Sequence, residues 1–211
     1  MDLVEPDGLK LALFSSSTGT PPLLSDDGGV AYGAIKDTCL RARQGGHILS
    51  LHEYGGVPNG STLRGSQPWH ALRYRILYDY LRQHDAVIPL IITECAQNAG
   101  YQFPGVEPFM EDFRWYDCEL TKDDYVLGAT IFTLGNWANA NFQDALPALG
   151  EHIATRDGSS CSGGGGVSAG SSKGEYFNNT ALNGGPVLVR EDGRGNIYEV
   201  DPLVCPRCGA K

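Results

Sequence analysis

Short apolar segments alternate along the chain with longer amphipathic ones. The apolar segments are dense in Leu, Ile, Val and Phe and are bounded by turn residues, which is typical of strands buried on both faces of a parallel sheet. They cover residues 9–14, 47–51, 88–93 and 126–133. The remaining segments predict helices at about 29–44, 67–86, 106–121 and 141–155. The second helix has the clearest pattern, with helical spacing of Trp69, Leu72, Ile76, Leu77, Tyr80 and Leu81.

The predicted strands recur at a nearly constant interval. They begin at residues 9, 47, 88 and 126, so the successive intervals are 38, 41 and 38 residues. This period predicts an α/β fold of parallel βα repeats with right-handed crossovers. A complete TIM (β/α)8 barrel takes about 250 residues, so four βα units correspond to half of such a barrel.

The βα pattern covers residues 1–156 and is followed by two segments of different character. A Gly/Ser-rich tract at 157–174 is typical of a flexible linker. Residues 175–211 form a predicted tail, in which 186–200 has the pattern of a β-hairpin: VLV and IYEV flank the turn sequence EDGRGN. The tail ends with the CxxC pair Cys205 and Cys208.

The composition narrows the possible partners. The 211 residues are 41% hydrophobic and 19% charged, as in an ordinary globular domain. No apolar run approaches the roughly 18 residues of a membrane span, and no basic-then-apolar leader opens the chain, so we expect no membrane partner and, by default, a cytoplasmic location. The net charge of −9 argues against nucleic-acid binding. The nearest basic cluster, Arg73, Arg75 and Arg82, has the pattern of a solvated helix face.

The six cysteines predict little chemistry. Four lie in or beside apolar segments, where we expect small buried hydrophobes: Cys39, Cys95, Cys118 and Cys161. The spacing of Cys205 and Cys208 is half of a zinc ribbon, and the only nearby candidate for a further ligand is Cys161. Apart from this incomplete zinc motif, no metal or other cofactor is expected.

Chemistry-bearing side chains follow the predicted strands. Ligands of parallel α/β sheets bind at the carboxyl ends of strands, where the loops converge. Aromatic faces can stack on the C–H faces of pyranose rings, and carboxylates and amides can bind their hydroxyls. The sequence therefore predicts a carbohydrate-binding rim made of His52, Glu53, Tyr54, Glu94, Asn98, Asn136 and Trp137.

Three segments that carry these residues resemble strands among the last four of a clan A glycoside hydrolase, which is a TIM-barrel retaining glycosidase. They read LSLHEYGG, PLIITECA and GATIFTLGNW, within a resemblance that covers roughly residues 9–155. The resemblance implies that Glu94 is the nucleophile and that His52 and Tyr54 orient it. It also implies that Trp137 and Asn136 form the floor of the sugar subsite.

The general acid/base is the point where the chain departs from the family. Retaining glycosidases need two carboxyls about 5–5.5 Å apart. Val4-Glu5-Pro6 resembles the family's Asn-Glu-Pro, but Val4 replaces the asparagine and only eight residues precede the first predicted strand. Glu53 is the better local candidate. Structural roles stay open as well: Glu94 as a turn cap or a partner of Arg73, His52 as a structural histidine, and Trp137 as a core residue.

Two other classes of function compete with the glycosidase. A truncated or non-catalytic module would bind carbohydrate without cleaving it. Residues 14–20 (FSSSTGT) resemble the flavodoxin phosphate loop, which implies a flavin-binding electron carrier, although Pro21 and Pro22 stand where that loop needs N–H donors.

A half-barrel also carries an expectation about assembly. It would leave two strand edges and an apolar sheet face uncovered. We therefore expect a homo-oligomer in which two copies complete a barrel-like sheet by two-fold pairing.

Overall fold

The computed structural model describes residues 1–56, 62–66, 69–135, 137, 139–156, 161, 175–178, 187–191 and 197–200. Strands and helices alternate through its main part as β1 (Ala12–Ser16), α1 (Val30–Gly45), β2 (Ile48–Tyr54), α2 (Tyr74–Gln83), β3 (Leu90–Ala96), α3 (Val106–Leu120), β4 (Val126–Ile131) and α4 (Leu146–Thr155). The four strands form one parallel sheet in the order β1-β2-β3-β4. The predicted α/β fold with a parallel sheet of βα units is confirmed.

β2 and β3 extend further at their carboxyl ends than the apolar pattern predicts, whereas β4 ends at Ile131 and not at residue 133. The second predicted strand stopped at residue 51 and the third at 93, whereas β2 continues to Tyr54 and β3 to Ala96. Polar residues at these ends keep the parallel pairing, with His52 opposite Glu94 and Glu53 opposite Cys95. Residues that the sequence placed in loops therefore belong to strands, where neighbouring side chains point to opposite faces.

The second helix is shorter than its pattern predicts. α2 begins at Tyr74 rather than near residue 67. Leu72 has a φ of 59°, which is left-handed and incompatible with a continuous right-handed helix. The apolar spacing before Tyr74 therefore belongs to a turn and not to a helix.

The core lies between one face of the sheet and the helices. Leu49, Leu51, Leu90 and Ile92 alternate along β2 and β3 and pack against residues of α1, α2 and α3 in one cluster. α4 joins the side of α3 through a second cluster that includes Phe109, Met110, Phe142 and Leu149. Phe14 and Thr130, which alternate with residues of the helix-covered face, are exposed on the other face.

The three arginines of the predicted basic face are not all solvated. Arg82 is exposed, as predicted, but Arg73, just before α2, is only 5% exposed, so the prediction is wrong for Arg73. Arg75 forms ion pairs with Glu119 and Asp123, at 3.1 and 2.8 Å, which connect α2 to the end of α3. The charge of Arg75, which the sequence placed on the surface, therefore forms contacts between helices.

Two of the cysteines form a covalent link. Cys39 and Cys95 are buried and free, as predicted, but Cys118 and Cys161 form a disulfide, so the prediction of small buried hydrophobes is wrong for this pair. The bond removes Cys161 as a zinc ligand, and Cys205 and Cys208 lie outside the described residues.

The C-terminal part contains a second, small sheet. Its antiparallel strands are β5 (Glu175–Asn178), β6 (Val187–Glu191) and β7 (Ile197–Val200). β6 and β7 pair as the predicted hairpin requires, while β5 was not predicted. The predicted linker, 157–174, lies outside the described residues except for Cys161. None of the helices among the described residues has the length and apolarity to cross a membrane.

Candidate functional site

A carboxylate, a phenol and an imidazole meet at the carboxyl ends of β2 and β3. The Tyr54 hydroxyl donates to Glu94 Oε2 at 2.5 Å, and His52 Nδ1 lies 3.2 Å from the same oxygen. The Glu94 side chain is 36% exposed, so a ligand can reach it. No hydrogen bond between described residues occupies Glu94 Oε1. One oxygen of this carboxylate is thus held in place, and none of the described residues bonds the other.

A β-bulge gives Glu94 its direction. Leu51 pairs with Ile92 and His52 pairs with Glu94, so Thr93 is an extra residue in β3. Without it, strict alternation would turn Glu94 to the helix-covered face, where Ile92 points. Bulges of this kind re-aim side chains and are frequent beside active sites. The bulge places Glu94 on the same face as His52.

Tyr54 is the hydrogen-bond donor to Glu94 and stays protonated. Burial raises the pKa of Tyr54, and the hydrogen bond and charge of Glu94 raise that pKa further. The phenol therefore keeps its proton at neutral pH and donates a hydrogen bond to Glu94. This contact fixes the orientation of the carboxylate.

A row of aromatic rings leads from this group to the surface. The Tyr54 and Phe132 rings meet edge to face with centroids 6.0 Å apart, and the Phe132 and Trp137 rings do so at 5.9 Å. Trp137 is 54% exposed. Its ring is therefore available for stacking on a ligand, at the end of a row that begins at the Glu94 contact. From here on, the rim means the set that these contacts connect, which differs from the predicted one: His52, Tyr54, Glu94, Phe132 and Trp137.

Gly100 is required by the packing of the rim. Its φ is +76°, and a Cβ there would lie 2.6 Å from Tyr54 Cε1 and 3.2 Å from Phe132 Cδ1. Sequence reasoning missed Gly100, which has no side chain to signal a role. It also missed Phe132, which had been counted as an apolar residue of the last predicted strand.

Glu53 does not lie on the rim, and the expectation that it does is wrong. It is fully buried on the helix face, where its carboxylate accepts hydrogen bonds from Leu72 N and the Tyr116 hydroxyl, both at 2.7 Å. Tyr74 N lies 3.4 Å from its other oxygen. Burial raises the pKa of Glu53 against the effect of these donors. The reason is alternation: β2 continues through residue 53, so Glu53 points away from His52 and anchors the start of α2.

Glu5 lies at the other end of the sheet, so it is not the acid partner of Glu94 either. It pairs with Arg41 at 2.6 Å and with His47 at 2.9 Å. His47 immediately precedes β2, and the five residues from there to His52 span roughly 16 Å of strand. The hydrogen bond from Arg41 lowers the pKa of Glu5 to about 2. Glu5 anchors the N-terminal segment.

Of the two predicted asparagines, one is structural. Asn98 is 5% exposed and its Nδ2 donates to the Gln102 carbonyl at 3.2 Å, inside the turn that follows β3. That turn is tied to the end of β2 by Ala99 N donating to Gly55 O at 2.9 Å. Asn98 therefore stabilises the turn that joins the ends of β2 and β3 next to the rim. Asn136 lies outside the described residues.

The flavodoxin alternative has no support in the topology. Flavodoxins have the strand order 2-1-3-4-5, with the first strand inside the sheet, whereas β1 is at the edge of the sheet that the described strands form. The carbonyls of Ser16 and Ser17 accept hydrogen bonds from Arg73 Nη2. The backbone oxygens of this loop therefore face a positively charged group. The same contacts show that Arg73 is not a partner of Glu94. Among the described residues, no His, Cys, Asp and Glu side chains cluster as metal ligands.

Comparison with known proteins gave no match: no family model, curated protein or solved structure matches this chain. Function is therefore inferred from the residues and geometry of the rim.

Proposed function

We propose that this chain acts on carbohydrate as a glycoside hydrolase-like protein with Glu94 as its nucleophile. The observation that carries the proposal is the convergence of Tyr54 and His52 on one oxygen of an accessible glutamate, at the carboxyl ends of neighbouring parallel strands. The consecutive strand order, with α1 to α3 on one face, is also what half of a (β/α)8 barrel would have.

The proposed chemistry follows from the accessible oxygen. Glu94 Oε1 attacks the anomeric carbon of a sugar, the glycosidic oxygen leaves, and water then hydrolyses the glycosyl–enzyme ester. Tyr54 keeps Oε2 in place during the attack. The exposed Trp137 ring stacks on the sugar.

The leaving oxygen needs a proton, and a retaining enzyme takes it from a second carboxyl about 5–5.5 Å from the first. Glu53 and Glu5 are both excluded by their positions. We propose that a second copy of the chain supplies this carboxyl from a shared rim. The copies would pair through the sheet face that none of the described helices covers and through the two edge strands, each of which has one neighbour among the described strands.

The second candidate function is a carbohydrate-binding module without catalysis. The observation that favours it is the burial of Glu53, which leaves a single assigned carboxylate on the rim. The exposed Trp137 and the Tyr54–Glu94 pair would still bind sugar hydroxyls and ring faces.

A panel of chromogenic aryl glycosides, run beside a thermal-shift panel of oligosaccharides on the full chain, separates these functions. Turnover supports the hydrolase. A raised melting temperature without turnover supports the binding module. If neither panel responds, both proposals are wrong.

Light scattering on the same sample tests the pairing of copies. We expect a dimer. A monodisperse monomer that turns over substrate would remove the second copy from the mechanism.

A further inference from the structure

A small cavity lies on the helix-covered side of the sheet, between the β1–α1 connection and the start of α2. Its volume is about 70 Å³. One water needs roughly 10–15 Å³ and benzene fills a cavity of about 150 Å³, so this cavity is larger than one water needs and suits a ligand smaller than benzene. Leu51 is part of its wall, and Leu51 points to the opposite face from His52. The cavity is therefore separate from the rim.

Two hydrogen-bond donors of the cavity wall have no partner among the described residues. Arg73 is 95% buried; its Nη2 donates to the Ser17 carbonyl at 2.8 Å and to the Ser16 carbonyl at 3.3 Å, but its Nε has no acceptor. The indole Nε1 of Trp69 has none either. Both residues line the cavity. Buried donors in proteins are nearly always paired, so two such donors in one cavity indicate an acceptor ligand.

The charges favour an anionic ligand. Arg73 carries a positive charge in a buried position. The carboxylate of Glu53, the acid that acts on this charge, is already held by three other donors, Leu72 N, Tyr74 N and the Tyr116 hydroxyl, so it does not bond Arg73 Nε. Asp26 also lines the cavity, but it is exposed and its carboxylate accepts from Leu23 N at 3.2 Å, so solvent screens its charge.

The rest of the wall is mostly apolar. Pro21, Pro22, Leu23, Leu51 and Leu77 contribute it, together with the rings of Tyr32 and Tyr74. An inorganic anion would leave this apolar surface without contacts. An anionic head with a short hydrocarbon tail would satisfy both parts of the wall.

We propose that this cavity binds a short-chain monocarboxylate, with the carboxylate accepting from Arg73 Nε and Trp69 Nε1 and the alkyl group packed against the prolines and leucines. Propionate, with five heavy atoms, is the matching probe. The proposal is independent of the glycosidase proposal because the two sites lie on opposite faces of the sheet.

Calorimetric titration of the full chain with sodium propionate tests the proposal, with propionamide as the neutral ligand of the same shape. We expect millimolar binding of propionate and at least tenfold weaker binding of propionamide at matched ionic strength, because only propionate carries the charge that Arg73 needs. Equal binding of the two ligands, or no binding of propionate, would overturn the proposal.

Trp69→Phe is the deciding variant, because it keeps an aromatic ring and removes only the N–H donor. We expect about a tenfold loss of propionate affinity, as for a hydrogen bond to a charged group. Trp115→Phe, a tryptophan outside the cavity, is the matched control and should bind as the unaltered chain does. Unchanged affinity in Trp69→Phe would overturn the assignment. Arg73→Lys is less informative because Arg73 also holds two carbonyls and its loss can prevent folding.

Discussion

His52 and Glu53 are consecutive residues of β2 whose side chains lie on opposite faces of the sheet. His52 faces the open side, 3.2 Å from the Glu94 carboxylate, whereas Glu53 is fully buried beneath α2. Two neighbouring polar residues therefore have separate tasks. One belongs to the rim and the other holds a helix in place.

The role of Glu53 predicts a stability defect. In Glu53→Gln, one acceptor oxygen becomes an amide donor among the buried donors Leu72 N and the Tyr116 hydroxyl. We expect the free energy of unfolding to fall by about 1–3 kcal/mol, the usual cost of an unsatisfied buried group. Urea denaturation measures this. Glu107→Gln, at an exposed position of α3, is the matched control, and equal stability of the two variants would contradict the anchoring role.

Gly100 predicts a coupled loss of stability and rim function. In Gly100→Ala the new Cβ would lie 2.6 Å from Tyr54 Cε1, so the ring must shift and its hydroxyl must leave Glu94. Gly8→Ala is the control for backbone strain, because Gly8 has a φ of +72°, close to that of Gly100, but nothing within 4 Å.

We expect Gly100→Ala to be less stable than Gly8→Ala by about 1–3 kcal/mol, the cost of overpacking. Gly100→Ala should also bind or turn over carbohydrate more weakly than Gly8→Ala. If the two variants behave alike in both assays, the contact of Gly100 with the rim has no functional role.

The Glu5 contacts predict a specific pH dependence. The pKa of Glu5 is lowered from 4.5 to about 2, chiefly by the hydrogen bond from Arg41. A lowered folded-state pKa gives stability that is complete above the unfolded pKa and is lost as the pH falls through the folded one. The stability advantage of the unaltered chain over Glu5→Gln should therefore be constant above about pH 4.5 and vanish towards pH 2.

Denaturation midpoints measured across this pH range test the Glu5 prediction. A difference between the two chains that does not change with pH would show that the carboxylate charge is not what anchors the N-terminal segment.

The disulfide predicts sensitivity to reductant. Cys118 and Cys161 are 43 residues apart, and closing a loop of that length stabilises a protein by about 4 kcal/mol in the chain-entropy treatment. Reductant should lower the unfolding midpoint of the unaltered chain. It should not change that of the double variant Cys118→Ser, Cys161→Ser, and an equal response of both chains would contradict the link.

The hydrophobic pattern was sufficient for the fold, because buried parallel strands and amphipathic helices each impose a period on the sequence. It located four strands and four helices in the right order. It failed at the polar strand ends, since His52, Glu53 and Tyr54 give no apolar signal. Treating them as a loop put Glu53 on the rim, while alternation in β2 buries it.

Other features depend on contacts that no local pattern encodes. The bulge at Thr93 turns Glu94 to the open face, and only the pairing register shows it. The Cys118–Cys161 bond joins residues far apart in the chain. Arg73 has the spacing of a surface residue but is buried beside the Ser16 and Ser17 carbonyls. Sequence patterns missed each of these features because each depends on contacts between residues that are far apart in the chain.

The most direct test of the central claim is the turnover of aryl glycosides by Glu94→Gln, measured beside Glu107→Gln. The glutamine keeps the shape of the side chain and an acceptor for Tyr54, but it cannot form the glycosyl ester. We predict that Glu94→Gln folds and binds oligosaccharide while its turnover falls to background, and that Glu107→Gln turns over substrate at the unaltered rate. Turnover by Glu94→Gln at the rate of the unaltered chain would contradict the assignment of Glu94 as nucleophile.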